Sequence, residues 1–411
     1  MFPVVDLAPF FTGDDDKAGA ARATDAVREA CRTHGFFRAV NHGVPAELMA
    51  RALELSAAFF ALPDEAKAKA RAAEGSQAPL PTGYARQPAH SPDKNEYVLV
   101  FDPKLGFNVY PAEPAGFREA AEECYAKLTE LGLLVHGILN ECMGLPPGFL
   151  GSYNSDRGFD FLALLRYFPA TEEEKNGISA HEDGNCVTFV IQDGVGGLEV
   201  LNDGDWVPVE PVDGSIIVNI GDVIQVLSNN KLKSATHRVV RKPRVHRHSL
   251  AFFFNIHGDK WVEPLPEFTA KIGEAPRYRG FVYNEYQQLR LRNKTHPPSR
   301  PEDVVHITHY TFANSLRPAV LTRDVMTCCG RSWQSDIRLD EDEDKQVAVL
   351  LLPQGDERLV QDLLAGPASS PAAREPTLGL ASFGEERFLL DTVSNICTGR
   401  LRRDLKLYLA V

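Results

Sequence analysis

Leu198-Glu199-Val200-Leu201-Asn202-Asp203-Gly204-Asp205-Trp206-Val207-Pro208-Val209 is the stretch on which the architecture turns. Runs rich in branched and aromatic side chains flank Asn-Asp-Gly, a sequence suited to the left-handed backbone of a tight hairpin. Working outward, comparable short runs recur at 162–168, 186–192, 196–201, 205–209, 215–220, 223–228, 237–241 and 248–256, punctuated by Gly, Asp and Asn. Many short strands at this spacing predict a sandwich or barrel, with a more helical N-terminal portion packed outside it.

Upstream, the period is different. Phe117, Ala121, Cys124, Leu128, Leu131, Val135, Ile138 and Cys142 step alternately by four and three, an apolar stripe along a helix over 115–142 closed by Gly144 and Pro146-Pro147. Residues 45–62 form a second helical stretch ended by Pro63, and 24–34 a third with Thr24 as its expected N-cap. Residues 3–10 and 36–40 read as short strands, 72–95 as a loop, and 268–294 as helical again. The expected organisation is an N-terminal helical and strand region over 1–110, a β-rich domain with its supporting helix over 111–312, and an extension over 313–411. That extension mixes an acidic run, an apolar run and a basic end, and is expected to be partly disordered.

Composition narrows the function classes. Lys and Arg total 44 against 56 Asp and Glu, a formal charge of −12, which disfavours a nucleic-acid binder. No apolar run is long enough for a membrane span. The seven cysteines are scattered and unpaired in sequence, as expected of reduced thiols in a cytoplasmic protein, and no secretory leader is visible. A monomer without nucleic-acid or membrane partners is expected.

The chemistry centres on His181-Glu182-Asp183. If these residues begin the strand that continues through 186–192, His181 and Asp183 share one face, because strand side chains alternate. His237, at the head of the later run His237-Arg238-Val239-Val240, is the candidate third ligand. Two imidazoles and one carboxylate on one hemisphere of a metal make a facial triad and leave open positions for co-substrate and dioxygen, the arrangement iron(II) uses. His-x-Asp alone is usually structural. Arg247 and Ser249 add weight: they share a strand face, and a guanidinium beside a hydroxyl on an apolar strand is costly to bury unless an anion meets it.

Taken together, these motifs resemble the plant-type 2-oxoglutarate and iron(II)-dependent dioxygenases, a group similar to isopenicillin N synthase. The resemblance spans about residues 2–312. It includes PVVDLAPF at 3–10, Gly35-Phe36-Phe37, Asn41-His42-Gly43, Phe60-Ala61-Leu62-Pro63 with Glu65 and Lys67, LLRYFPA, QDGVGGLEV, DGDWVPVEP, VNIGDVIQVLSN, KSATHRVV and Arg247-x-Ser249. It implies a mainly β fold with flanking helices, built on a double-stranded β-helix or jelly-roll core. It implies iron(II) on His181, Asp183 and His237, with the distal carboxylate of 2-oxoglutarate on Arg247 and Ser249. The implied reaction consumes dioxygen and 2-oxoglutarate, releases succinate and carbon dioxide, and oxidises, most commonly hydroxylates, a small organic metabolite. The alternatives are an iron(II) oxidase that needs no 2-oxoglutarate, and a non-catalytic binding protein on the same fold.

One departure stands out. The family usually carries Asn-Tyr-Tyr-Pro where this chain has Arg166-Tyr167-Phe168-Pro169. On that alignment Phe168 replaces the tyrosine that often helps hold the co-substrate. Arg166 and Phe168 are then expected to face inward and Tyr167 outward, with Arg166 meeting either a substrate anion or a protein carboxylate. Asn255 and His257 share parity with Arg247 and Ser249 and would line the pocket if the strand persists that far. Tyr84 and Tyr97 lie in a region that often lines the substrate pocket in the family. Asn41-His42-Gly43 is expected to be a structural turn.

Overall fold

A computed structural model describes residues 2–72, 78, 80–295, 298, 300 and 304–312, with short strands between 325 and 410. The chain divides into two compact units, Met1–Asn314 and Ser315–Val411. In the second unit the described segments are strands: Val325–Cys328 pairs antiparallel with Arg331–Gln334, and Ala348–Leu351 lies between Ile337–Leu339 and Leu409–Ala410. The expectation of partial disorder over 313–411 falls mostly outside the described residues.

The first unit runs β1 (Val4–Asp6), α1 (Lys17–Thr33), β2 (Phe36–Val40), α2 (Ala46–Phe60), α3 (Asp64–Ala68), β3 (Gly83–Arg86), β4 (Asn95–Phe101), α4 (Phe117–Met143) and α5 (Phe149–Tyr153). The barrel strands follow: β5 (Phe161–Tyr167), β6 (Asn176–His181), β7 (Val187–Gln192), β8 (Leu198–Asn202), β9 (Asp205–Pro208) and β10 (Ile216–Ile220). After α6 (Asp222–Leu227) come β11 (His237–Val240), β12 (Arg247–Phe254), β13 (Trp261–Val262), α7 (Pro266–Ile272), β14 (Phe281–Val282) and α8 (Tyr283–Thr295). Eight strands form one sheet in the order β1-β2-β10-β7-β12-β5-β4-β3, and four form another in the order β6-β11-β8-β9. This is the expected jelly roll with helices outside.

The opening hairpin forms as read. Asn202 pairs with Asp205, so Asp203 and Gly204 make the loop, both with positive φ (52° and 92°). That mirror-image turn matches the twist of the flanking strands.

The large sheet separates two apolar clusters. Leu162, Leu164, Leu250, Phe252 and Phe254 point to the helical side, where the stripe of α4 packs with α1 and α2. Ala163, Leu165, Tyr167 and Ala251 point into the barrel with Phe36, Ile217, Leu198, Val200 and Val239. Alternation along β5 and β12 therefore assigns every side chain on them to one of the two cores. The helical side is close-packed: a Cβ on Gly132 of α4 would stand 2.3 Å from the ring of Phe254.

Several sequence expectations need correction. The run 223–228 falls in α6 (Asp222–Leu227) and its C-cap Ser228, not in a strand. All six residues of α6 are buried, so its pattern carries no period that separates helix from strand. The helix α1 starts earlier than expected and is capped by Asp16, which accepts from Gly19 N at 2.8 Å. Thr24 is instead buried within it, with its hydroxyl directed at Glu141. The loop over 72–95 contains β3, which pairs with β4. The stretch 268–294 is divided between α7, β14 and α8. Among the described residues, Cys31, Cys124, Cys142 and Cys186 are free.

Candidate metal centre

His181 ends β6 and His237 begins β11, and the two residues face each other in the antiparallel register. Their ring centroids are 4.3 Å apart. Asp183 does not sit on the strand that follows, as alternation had suggested. It lies in the turn between β6 and β7, which brings its carboxylate back over the pair. Asp183 Oδ1 stands 3.6 Å from His181 Nε2 and 3.7 Å from His237 Nε2. One donor atom from each residue falls within 4.8 Å of the others, a group able to hold a metal ion.

The surroundings orient these atoms. His181 Nδ1 lies 2.8 Å from the Ser179 carbonyl and His237 Nδ1 lies 3.1 Å from the Ala235 carbonyl. A carbonyl only accepts, so each Nδ1 carries the proton and each Nε2 turns its lone pair to the shared point. Asp183 Oδ2 accepts from Thr188 Oγ1 at 2.6 Å and from Asn219 Nδ2 at 2.8 Å. Those two bonds occupy Oδ2 and leave Oδ1 for a cation. Burial by itself would raise the Asp183 pKa. The positive charge His237 and His181 carry when Nε2 is also protonated, then the hydrogen bonds from Thr188 and Asn219, outweigh it and hold the carboxyl well below its ordinary range. Sequence reading missed Thr188 and Asn219. Their one signal was a polar residue on an otherwise apolar strand.

In the same barrel, Arg247 and Ser249 share the inward face of β12 with Ala251. Arg247 is 2% exposed, yet it makes no ion pair among the described residues, and its Nε has no hydrogen-bond partner. Arg247 Nη1 donates to Ser249 Oγ at 3.0 Å and Nη2 to Gln192 Oε1 at 3.0 Å. Its guanidinium also lies 4.9 Å over the ring of Tyr167. A buried cation whose hydrogen bonds go only to neutral groups is suited to receive an anion from outside the chain.

Tyr167 corrects the reading of the departure. It is paired across the sheet with Arg247, is 3% exposed, and interacts through its hydroxyl with Ser249 and Arg247. Burial raises its pKa, against the pull of Arg247, so the hydroxyl stays protonated and able to donate. The inward tyrosine is thus present one position before Phe168. Arg166 and Phe168 do share a face, but it is the helical side of the sheet. Arg166 forms an ion pair with the buried Glu96 at 2.5 Å, and its guanidinium lies 5.3 Å from the Phe168 ring centroid. Neither residue faces the barrel interior.

Asn255 and His257 do not extend the inward face of β12. The strand ends at Phe254; Asn255 is buried and bonded to the Phe159 carbonyl and to Tyr283, and His257 is partly exposed beside Asp259. Tyr97 packs against the interior cluster, whereas Tyr84 points to the helical side and donates to Glu96 at 2.8 Å. His42 is a turn residue, with Nε2 3.0 Å from the Gly214 carbonyl and Nδ1 accepting from Val44 N.

A jelly roll with two imidazoles and one carboxylate converging inside it has the build of a mononuclear non-haem iron oxygenase. Comparison with known proteins makes this specific. The 2OG-Fe(II) oxygenase superfamily profile matches residues 159–256, and the N-terminal profile of non-haem dioxygenases in morphine synthesis matches residues 2–126. Flavanone 3-dioxygenase 2 of Oryza sativa subsp. japonica is 33% identical over 290 residues, covering 69% of this chain and 82% of that protein. The 2-oxoglutarate-Fe(II) type oxidoreductase hxnY of Emericella nidulans is 33% identical over 304 residues, covering 67% and 85%. Among solved structures, JOX2 in complex with 2OG, Fe and JA aligns with TM-score 0.64 at 30% identity, covering 75% of this chain and 89% of that one. The chain belongs to the 2OG-Fe(II) oxygenase superfamily. It is a 2-oxoglutarate-dependent dioxygenase, and its cofactor and co-substrates are iron(II), 2-oxoglutarate and dioxygen.

Proposed function

We propose that His181, Asp183 and His237 hold one iron(II) ion, and that Arg247, Ser249 and Tyr167 receive the distal carboxylate of 2-oxoglutarate. The observation that carries this reading is a pairing. Three metal-donor groups converge within 4.8 Å, and in the same barrel interior a buried guanidinium forms no ion pair among the described residues and hydrogen-bonds only neutral groups. The donor set fits iron(II), and the orphaned Arg247 Nε fits a carboxylate.

When bound, the metal supplies oxidative chemistry that turns 2-oxoglutarate into succinate and carbon dioxide while a substrate C–H bond is oxidised. The chain's own residues bind and orient. Arg247 neutralises the distal carboxylate in a dry setting, and Ser249 and Tyr167 offer hydroxyls beside it. Thr188 and Asn219 fix the Asp183 carboxylate. Phe161 and Phe253, with ring centroids 4.4 Å apart, add apolar surface to the interior and help exclude water. The substrate on this reading is a small organic metabolite that is hydroxylated. The acidic charge and scattered thiols support a cytoplasmic enzyme.

Oxygen uptake and succinate release by the purified protein, with and without 2-oxoglutarate, test the proposal. Uptake that needs both iron(II) and 2-oxoglutarate is expected. Uptake undiminished without 2-oxoglutarate would assign Arg247 and Ser249 to the substrate instead.

A further inference from the structure

The metal-bearing turn is held from behind by a helix that neither matched region contains. Residues 182–185 carry four successive backbone carbonyls, and each has a partner. Arg290 Nη2 on α8 donates to the Glu182 carbonyl. Asp222 N, at the start of α6, donates to the Asp183 carbonyl at 2.7 Å. Gln287 Nε2, also on α8, donates to the Gly184 carbonyl at 3.3 Å. Val223 N donates to the Asn185 carbonyl at 3.1 Å.

Asp222 is itself fixed by α8. Its Oδ2 accepts from Arg290 Nη1 at 3.1 Å and from Tyr286 Oη at 2.6 Å. One guanidinium therefore grips the turn directly, through Glu182, and indirectly, through Asp222. The approach is close: a Cβ on Gly184 would stand 2.7 Å from Arg290 Nε. A charged side chain left 15% exposed costs free energy unless its donors are satisfied, and apart from Tyr286 on its own helix the acceptors here are the metal-bearing turn and its neighbour Asp222.

Resting on the metal assignment above, we propose that Arg290 is a positioning residue for the metal centre. It locks the peptide plane before Asp183, and through Asp222 the one after it, while Gln287 holds the next plane at Gly184, so that the carboxylate is aimed at His181 and His237 before the metal arrives. Without that lock, part of the binding free energy goes into ordering the turn, and affinity falls. The turn is tied on its other side as well: Glu182 accepts from Thr236 Oγ1, beside the His237 ligand, and its Oε2 lies 3.4 Å from His306 Nδ1.

The test is Co(II) titration of the full-length protein after chelator treatment, followed by visible absorption, with thermal melting of the metal-free protein in parallel. Arg290→Met is expected to weaken Co(II) binding about tenfold or more, in the range of outer-shell substitutions at metal sites. Arg290→Lys keeps the charge but not the fork, and is expected to restore affinity only in part. Gln287→Leu removes a single carbonyl bond and serves if Arg290→Met does not fold; a loss of a few fold at unchanged melting temperature is expected. Wild-type affinity in both Arg290→Met and Gln287→Leu overturns the proposal, as does a lowered melting temperature with unchanged affinity. His237→Ala separates this from failure of the metal assignment: if it binds Co(II) as well as wild type, the assignment fails rather than the helix's role.

Discussion

The guanidinium of Arg247 lies 4.9 Å above the ring of Tyr167, its partner across the antiparallel pair β5–β12. The contact places the tyrosine hydroxyl with Arg247 and Ser249, where a carboxylate of 2-oxoglutarate would bind. Tyr167→Phe is expected to raise KM for 2-oxoglutarate about tenfold, the worth of one hydrogen bond to a charged group, with kcat little changed. Phe168→Tyr should leave KM where it is, because that side chain lies on the helical side. Steady-state succinate assays on both variants decide; an effect at 168 and none at 167 would reverse the assignment.

Asp183 has one oxygen directed at the histidines and the other held by Thr188 and Asn219. Asp183→Ala should abolish succinate release. Asn219→Leu should preserve the fold but weaken iron(II) affinity about tenfold, because the carboxylate loses a partner that orients it. Anaerobic iron titration reads the difference. Equal affinity in wild type and Asn219→Leu would show that Thr188 alone suffices.

Glu96 is fully buried on β4, and its neighbours are almost all donors: Lys67 Nζ at 3.2 Å, Tyr84 Oη at 2.8 Å, Arg86 Nε at 3.0 Å and Arg166 Nη2 at 2.5 Å. Replacing it with Leu leaves Lys67 and Arg166 without their shared buried counter-charge. A loss of about 3–5 kcal/mol in urea unfolding is expected. A loss under about 1 kcal/mol would mean that solvent reaches the cluster.

His136 sits in the core face of α4, and burial pushes its pKa down to about 4. Below the ordinary imidazole value of about 6.5 the unfolded chain takes up a proton that the folded chain refuses. Its contribution to stability is therefore complete above about pH 6.5 and is lost as pH falls toward 4, by up to about 3 kcal/mol. His136→Leu removes this dependence. The gap in unfolding free energy between variant and wild type should shift in the variant's favour by about that amount from pH 7 to pH 4. A constant gap would show that the folded protein accommodates the proton.

The sequence announced the strands whose neighbours force a pattern on them. The Asp-Gly turn at 203–204 needs left-handed backbone, and the stripe on α4 needs one apolar side, so both were readable locally. Asn176–His181 was not read as a strand because Asn-Gly-Ile-Ser-Ala-His carries almost no apolar signal, although it delivers a metal-ligand candidate. α6 was misread for the opposite reason, being buried all round. The triad's membership could be read from spacing, but the route of Asp183 through a turn could not. The orientation of Tyr167 depends on its cross-strand pairing with Arg247, a long-range fact. Arg290 was invisible because its acceptors in the metal site's support, the Glu182 carbonyl and the Asp222 carboxylate, lie far back along the chain.

The cluster at Glu96 bears on any attempt to recombine relatives of this enzyme. Lys67 comes from α3, Arg86 from β3 and Arg166 from β5, while the carboxylate they share comes from β4. A chimera with its crossover between residues 67 and 96 would inherit Lys67 from one parent and Glu96 with Arg166 from the other. Exchange of substrate-side segments should therefore succeed only when the crossover keeps Lys67, Arg86 and Glu96 from one donor, or when both donors supply the same charges there.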